Sequence, residues 1–285
     1  MIGDLRLESC HDLMLLEKIG PMKKLLLIFS LLSFILFSGC SSLDPDQKEI
    51  NAMAQEAYNE VKAKSKISKN AEWKAMVDRV AKRIAKESGH DFDWEWMLIE
   101  SPEVNAWCMP GGKIAVYTGI MPVLQNEAAL AAVLGHEVAH ATENHGKERY
   151  ARAIKGNLAG LVIGGAAAVG GQLFCQSESC RLLTGLGGAA AGFAITFFDM
   201  KYSRKDEVEA DKIGQRLMAK AGYQPDEAIK VWERMKKASG GEPPEILSTH
   251  PSSERRMENL RQWLPQSKEL YHSASEKYGL GERIQ

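Results

Sequence analysis

The 285-residue sequence predicts an α+β fold that is mainly helical, with one small β-sheet. Three observations lead there. Ala, Lys, Glu and apolar residues recur at helical spacing through most of the chain. Only Trp94 to Thr118 reads as a set of short strands. One Ala-rich stretch carries two histidines and a carboxylate spaced for metal binding, in His136-Glu137-Val138-Ala139-His140.

At the N-terminus, residues 1–21 fit no targeting pattern and are expected to be a non-native upstream extension, with Met22 as the true start. Residues 22–39 have the layout of a secretory signal: Met22-Lys23-Lys24, an apolar run from Leu25 to Phe37, then Ser38-Gly39-Cys40. The run is shorter than the roughly 20 residues that a membrane span needs. Its ending resembles that of a bacterial lipoprotein signal, although Phe37 stands where Leu is usual. That resemblance implies lipidation of Cys40 and a membrane anchor there. Ser41, where inner-membrane retention would require Asp, then points to the outer membrane of a Gram-negative bacterium, facing the periplasm.

Residues 44–90 read as helices closed by Ser88-Gly89-His90. Strands follow at Trp94 to Ile99, Asn105 to Met109 and Lys113 to Thr118, the last two joined through Pro110-Gly111-Gly112. An edge of such a sheet beside the metal-binding helix would let an extended peptide add as a further strand.

From Asn126 to His145, Leu130, Val133, Leu134 and Val138 form an apolar stripe at helical spacing. Residues i and i+4 share one helix face, so His136 and His140 can reach one metal ion with Glu137 beside an open position. Gly135 would let another backbone approach this turn. A catalytic zinc site needs a third ligand. The metzincin continuation requires Gly and His where this chain has Glu143 and Gly146, and His145 stands one place short. The better source is Tyr202 to Asp211, where Glu207 and Asp211 are spaced i, i+4. With Glu207 as ligand, Asp211 would accept the second ring proton of a zinc-bound histidine. Asp206 and Glu209 are alternatives, with Glu209 expected to point away as a solvated charge.

Gly/Ala-rich apolar stretches run from Gly156 to Phe174 and from Leu182 to Phe198, forming a helical hairpin over 156–198 that either packs on the core, covers the cleft as a lid or dips into a bilayer. Packing is preferred, because glycine dilutes the hydrophobicity. Cys175 and Cys180 can close a small disulfide loop between the two, while Cys108 reads as a lone strand residue. Further on, Pro251, Ser252 and Ser253, with Glu254, mark a helix start just after Thr249-His250. Taken alone, His250 reads as a surface turn residue.

HEVAH, then SRKDEVEAD, then Thr249-His250-Pro251 and Arg255, in that order, resemble zinc metallopeptidase family forty-eight. That family includes the CAAX prenyl proteases, the HtpX-like heat-shock proteases and outer-membrane quality-control proteases. The similarity spans roughly 72–256. It implies a gluzincin-like domain over 40–265 with a tail at 266–285, one zinc ion on His136, His140 and Glu207, and Glu137 as general base. It also gives His250 an active-site role, either donating to an oxyanion or plugging the open zinc position, with Arg255 a weaker candidate.

The function expected is a zinc endopeptidase that removes misfolded or damaged envelope and outer-membrane proteins, its substrates being unfolded or misassembled chains. The alternative is a chaperone-like assembly factor whose metal site is silent or closed. A prenyl-protein protease would need several membrane spans. A formal net charge of −1 argues against nucleic acid as a partner. Oligomeric state is left unassigned.

Overall fold

The computed structural model describes residues 46–164, 188–238, 245–250 and 254–285. The extension at 1–21, the signal at 22–39, Cys40, Cys175, Cys180 and the middle of the 156–198 hairpin lie outside the described residues.

Helix α1, Gln47–Lys64, starts on a capping box in which the Asp46 side chain accepts from Glu49 N–H at 2.7 Å and Glu49 reaches back. Helix α2, Ala71–Ser88, starts on Asn70 and ends at Gly89, whose φ of 70° gives the left-handed cap that glycine favours. Strands β1 (Glu95–Ile99), β2 (Ala106–Met109) and β3 (Lys113–Tyr117) form a sheet in the order β1-β3-β2. The β2–β3 hairpin is antiparallel, whereas β1 and β3 run parallel.

Both faces of this sheet are covered. Leu98, Ala106, Cys108, Ile114 and Val116 join the core with α2 and the metal-binding helix. Met97, Ile99, Trp107, Ala115 and Tyr117 face the other way, onto Ile50, Tyr58, Phe193 and Phe197. Sheets buried on both sides lose polar alternation, and apart from Glu95 and Lys113 at the strand starts these strands are accordingly apolar.

After a 3₁₀ turn at Thr118–Ile120 and the short α3, Met121–Leu124, helix α4 spans Glu127–Thr142 and starts on Asn126, whose side chain accepts from Ala129 N–H at 2.9 Å. Every residue of α4 is buried. Then come α5 (His145–Gly164), α6 (Gly188–Asp199), α7 (Arg204–Lys220), α8 (Glu227–Ala238), α9 (Glu245–Thr249) and α10 (Glu254–Ser273). The described ends of the 156–198 stretch are thus helical, and Tyr150 of α5 packs edge-on against Phe193 of α6. Among the described residues no helix is long and apolar enough to cross a membrane.

Helix α10 continues through Pro265, and the residues after it return to the start of α4. Glu127 N–H donates to Glu282 C=O at 3.0 Å, Ala128 N–H to Leu280 C=O at 3.1 Å, and Ile284 N–H to Gln125 C=O at 3.0 Å. Arg79 of α2 bridges the carboxylates of Glu127 and Glu282, and Tyr223 O–H donates to Glu127 at 3.1 Å. Orphan N–H groups at a helix start need partners, and this tail supplies them.

Candidate active site

Two glycines let α4 and α7 cross closely. A Cβ on Gly135 would stand 2.7 Å from Gly214 C=O, and one on Gly214 would stand 2.6 Å from the His136 backbone nitrogen. Gly135 therefore does admit a second backbone at the metal-binding turn. Helix α7 starts on Ser203 with a capping box closed by Asp206. Asp206 thus spends its carboxylate on the helix cap, while the inward face carries Glu207 and Asp211, both buried.

His136, His140, Glu207 and His250 converge, each offering one ligand atom within 4.8 Å of the others. His136 Nε2 lies 3.1 Å from His140 Nε2 and 3.2 Å from His250 Nδ1. Glu207 Oε1 lies 3.0 Å from His250 Nδ1 and 3.4 Å from His140 Nε2. A tetrahedral ion with zinc–ligand bonds of about 2.0–2.2 Å separates its ligand atoms by about 3.3–3.6 Å, so this donor set fits zinc closely. Nitrogens crowded against a carboxylate away from water are otherwise costly. His250 Nε2 lies 3.6 Å from Glu137 Oε1, which is buried and makes no hydrogen bond.

Asp211 Oδ1 lies 3.0 Å from His136 Nδ1, the ring nitrogen turned away from the cluster. Asp211 is itself held by Arg256, which also touches Glu207 at 2.5 Å and lies over the Trp232 ring. Burial would raise the Asp211 carboxyl, but the Arg256 guanidinium overrides it and lowers it. Glu207 is likewise held well below the carboxylate range, with His250 and Arg256 outweighing burial.

The arginine at the site is Arg256, which corrects the expectation for Arg255. Arg255 is exposed on α10, whereas Arg256 is buried. Adjacent helix positions differ by about 100° in direction, so only one of the pair can face inward.

On the other side, the Tyr202 ring lies 3.8 Å from that of His140, and Arg149 stacks on Tyr202 at 3.8 Å. Burial drives His140 well below its ordinary pKa and favours its neutral, metal-binding form. Beside Glu137 is a cavity of about 20 Å³ lined by Trp107, Phe197, Phe198, Tyr202 and Thr249, with room for about one water. Strand β2 is the sheet edge on this side, but it is buried, and Val104 C=O just before it accepts from Ile246 N–H of α9 at 3.4 Å.

The family model for peptidase family M48 matches residues 68–264. The chain belongs to peptidase family M48. Zinc is the cofactor of M48 peptidases, and the buried group of His136, His140, Glu207 and His250 could hold a metal ion. The M48 chain is 37% identical over 227 residues to the mitochondrial metalloendopeptidase OMA1 of Schizosaccharomyces pombe, covering 75% of this chain and 61% of that protein. With OMA1 of Saccharomyces cerevisiae it shares 37% over 192 residues, 64% of this chain and 50% of the other. With the beta-barrel assembly-enhancing protease of Escherichia coli it shares 27% over 189 residues, 66% of this chain and 38% of that one. The M48 chain thus spans less than two thirds of the length of these relatives.

These comparisons correct the expected localisation. The relatives at 32–37% identity are named as mitochondrial enzymes, which overturns a placement at the Gram-negative outer membrane facing the periplasm. That placement rested on the apolar run from Leu25 to Phe37, Cys40 and Ser41.

Sequence reasoning missed Arg256, Tyr202, Arg149 and His145. For Arg256 the signal was present, one position away from the arginine chosen.

Proposed function

We propose that the chain is a zinc-dependent endopeptidase acting on misfolded or damaged proteins, with His136, His140 and Glu207 as its zinc ligands and Glu137 as its general base. The observation that carries this reading is the near-tetrahedral spacing of the ligand atoms with the unbonded Glu137 Oε1 alongside. When bound, zinc supplies a positive charge that acidifies water to a pKa of roughly 7 and polarises a peptide carbonyl. Glu137 takes the proton of the attacking water and returns it to the leaving amine. Asp211, braced by Arg256, orients the His136 ring. The name of the Escherichia coli relative supports substrates among proteins still being assembled.

One observation favours a second reading, an assembly factor with a closed site. His250 stands at the fourth corner of the cluster, and the adjoining cavity has room for about one water. This favours a plug over an oxyanion donor for His250.

Zinc content and casein cleavage, measured together on wild type, Glu137→Gln and His136→Ala, test the proposal. One zinc with cleavage in wild type, zinc without cleavage in Glu137→Gln, and loss of zinc in His136→Ala are expected. Zinc without cleavage in the wild type would overturn the peptidase reading in favour of the closed assembly factor.

A further inference from the structure

We infer that His145 is a positioning residue for this site: it accepts the ring proton of His140 and, backed by Glu209, fixes the tautomer in which His140 can bind zinc. The inference rests on the proposed role of His140 as a ligand.

His140 directs Nε2 into the cluster, leaving Nδ1 on the far side. That Nδ1 lies 3.0 Å from His145 Nδ1. His145 is 3% exposed, and its Nε2 lies 3.6 Å from Glu209 Oε2. A neutral imidazole carries one proton. Coordination through Nε2 requires the His140 proton on Nδ1, where it donates to His145 Nδ1. The His145 proton then sits on Nε2, facing the Glu209 carboxylate. The His140 proton thus has a ring acceptor within hydrogen-bond distance, and the His145 Nε2 proton points toward a carboxylate beyond that distance.

The backbone is shaped for this contact. In a continuous helix, five positions at about 100° each would put residue 145 roughly 140° round from His140. Helix α4 instead ends at Thr142, and Asn144 adopts φ 60°, a left-handed conformation that asparagine tolerates better than most residues. Helix α5 then opens on His145 and brings it back beside His140. Tyr202, lying at 31° to the His140 ring, limits its tilt and leaves rotation about the ring to be set by His145.

The two histidines of HEVAH therefore have unlike partners. His136 faces a carboxylate locked by arginine, and His140 faces the ring of His145.

His145→Phe keeps the ring volume and removes the acceptor, while His145→Asn keeps an oxygen near the position of Nδ1. On the full-length protein, zinc affinity by competition with a chromophoric chelator, the visible spectrum of the cobalt(II)-substituted form, and the thermal midpoint of the metal-free form are measured. His145→Phe is expected to lose about 10–100-fold in zinc affinity with a shifted cobalt spectrum. Its metal-free midpoint should hold, and His145→Asn should recover most of the affinity. Wild-type affinity and spectrum in His145→Phe would overturn the inference, as would a fall in midpoint with no rescue by Asn. His140→Ala, in the same assay, tests the ligand role separately: undiminished zinc binding there would remove the foundation rather than the relay.

Discussion

Arg256 grips Asp211 with two bonds, Nε to Oδ2 at 2.6 Å and Nη2 to Oδ1 at 2.7 Å. A planar fork matched to a carboxylate is a geometry that lysine cannot reproduce. Arg256→Lys is therefore expected to weaken zinc binding about 10–100-fold, by loosening the partner of His136. Arg256→Ala should also destabilise the fold by about 3–5 kcal/mol, since it strands two buried carboxylates. Zinc competition and urea unfolding measure the two effects, and a neutral Arg256→Lys would show that Asp211 needs no bracing.

The same arginine predicts behaviour in acid. Asp211 and Glu207 both sit below their unfolded values of about 3.9 and 4.3. A depressed carboxylate contributes stability above its unfolded pKa and loses it as pH falls through the folded one. The urea midpoint of metal-free protein should thus fall steeply below about pH 4, and in Arg256→Met that fall should begin at higher pH. Identical acid limbs in the two proteins would count against this coupling.

The glycine crossing predicts a loss that no polar contact explains. Gly214→Ala would push a methyl to 2.6 Å from the His136 backbone, which has no side-chain freedom to yield. Overpacking of this kind costs about 1–3 kcal/mol, and here it would also spread Glu207 from the histidines. Lower thermal stability together with lower zinc affinity is expected. A fall in stability with unchanged zinc affinity would mean that the crossing does not set the ligand spacing.

His250 separates its two readings by the sign of one effect. As a plug, His250→Ala should keep zinc and cleave casein faster. As an oxyanion donor, its loss should lower kcat by about 10²–10³-fold.

What was legible in the sequence was local. HEVAH, the i, i+4 spacing of Glu207 and Asp211 and the glycine turn at Gly111 and Gly112 depend on residues within a few positions of one another. Arg256 escaped because neither arginine of the pair carries a mark of helix phase, which is set by how α10 packs on α7. His145 escaped because its approach to His140 needs the break at Asn144. Glu209 was expected in solvent, and its side chain is 43% exposed, yet one oxygen faces His145. The parallel β1–β3 pairing and the return of the tail join distant segments whose contact no local pattern announces.

That tail bears on when the metal-binding helix becomes steady. The start of the metal-binding helix is tied down by residues 280–284, and Arg79 links to Glu282 across 203 positions of chain. Closing a loop of that length is slow, and its entropy is lost before the contact repays it. A partly synthesised chain therefore carries the complete HEVAH sequence without the ties that steady its helix. The metal-binding helix is steadied only after residues far downstream have been made and have folded back.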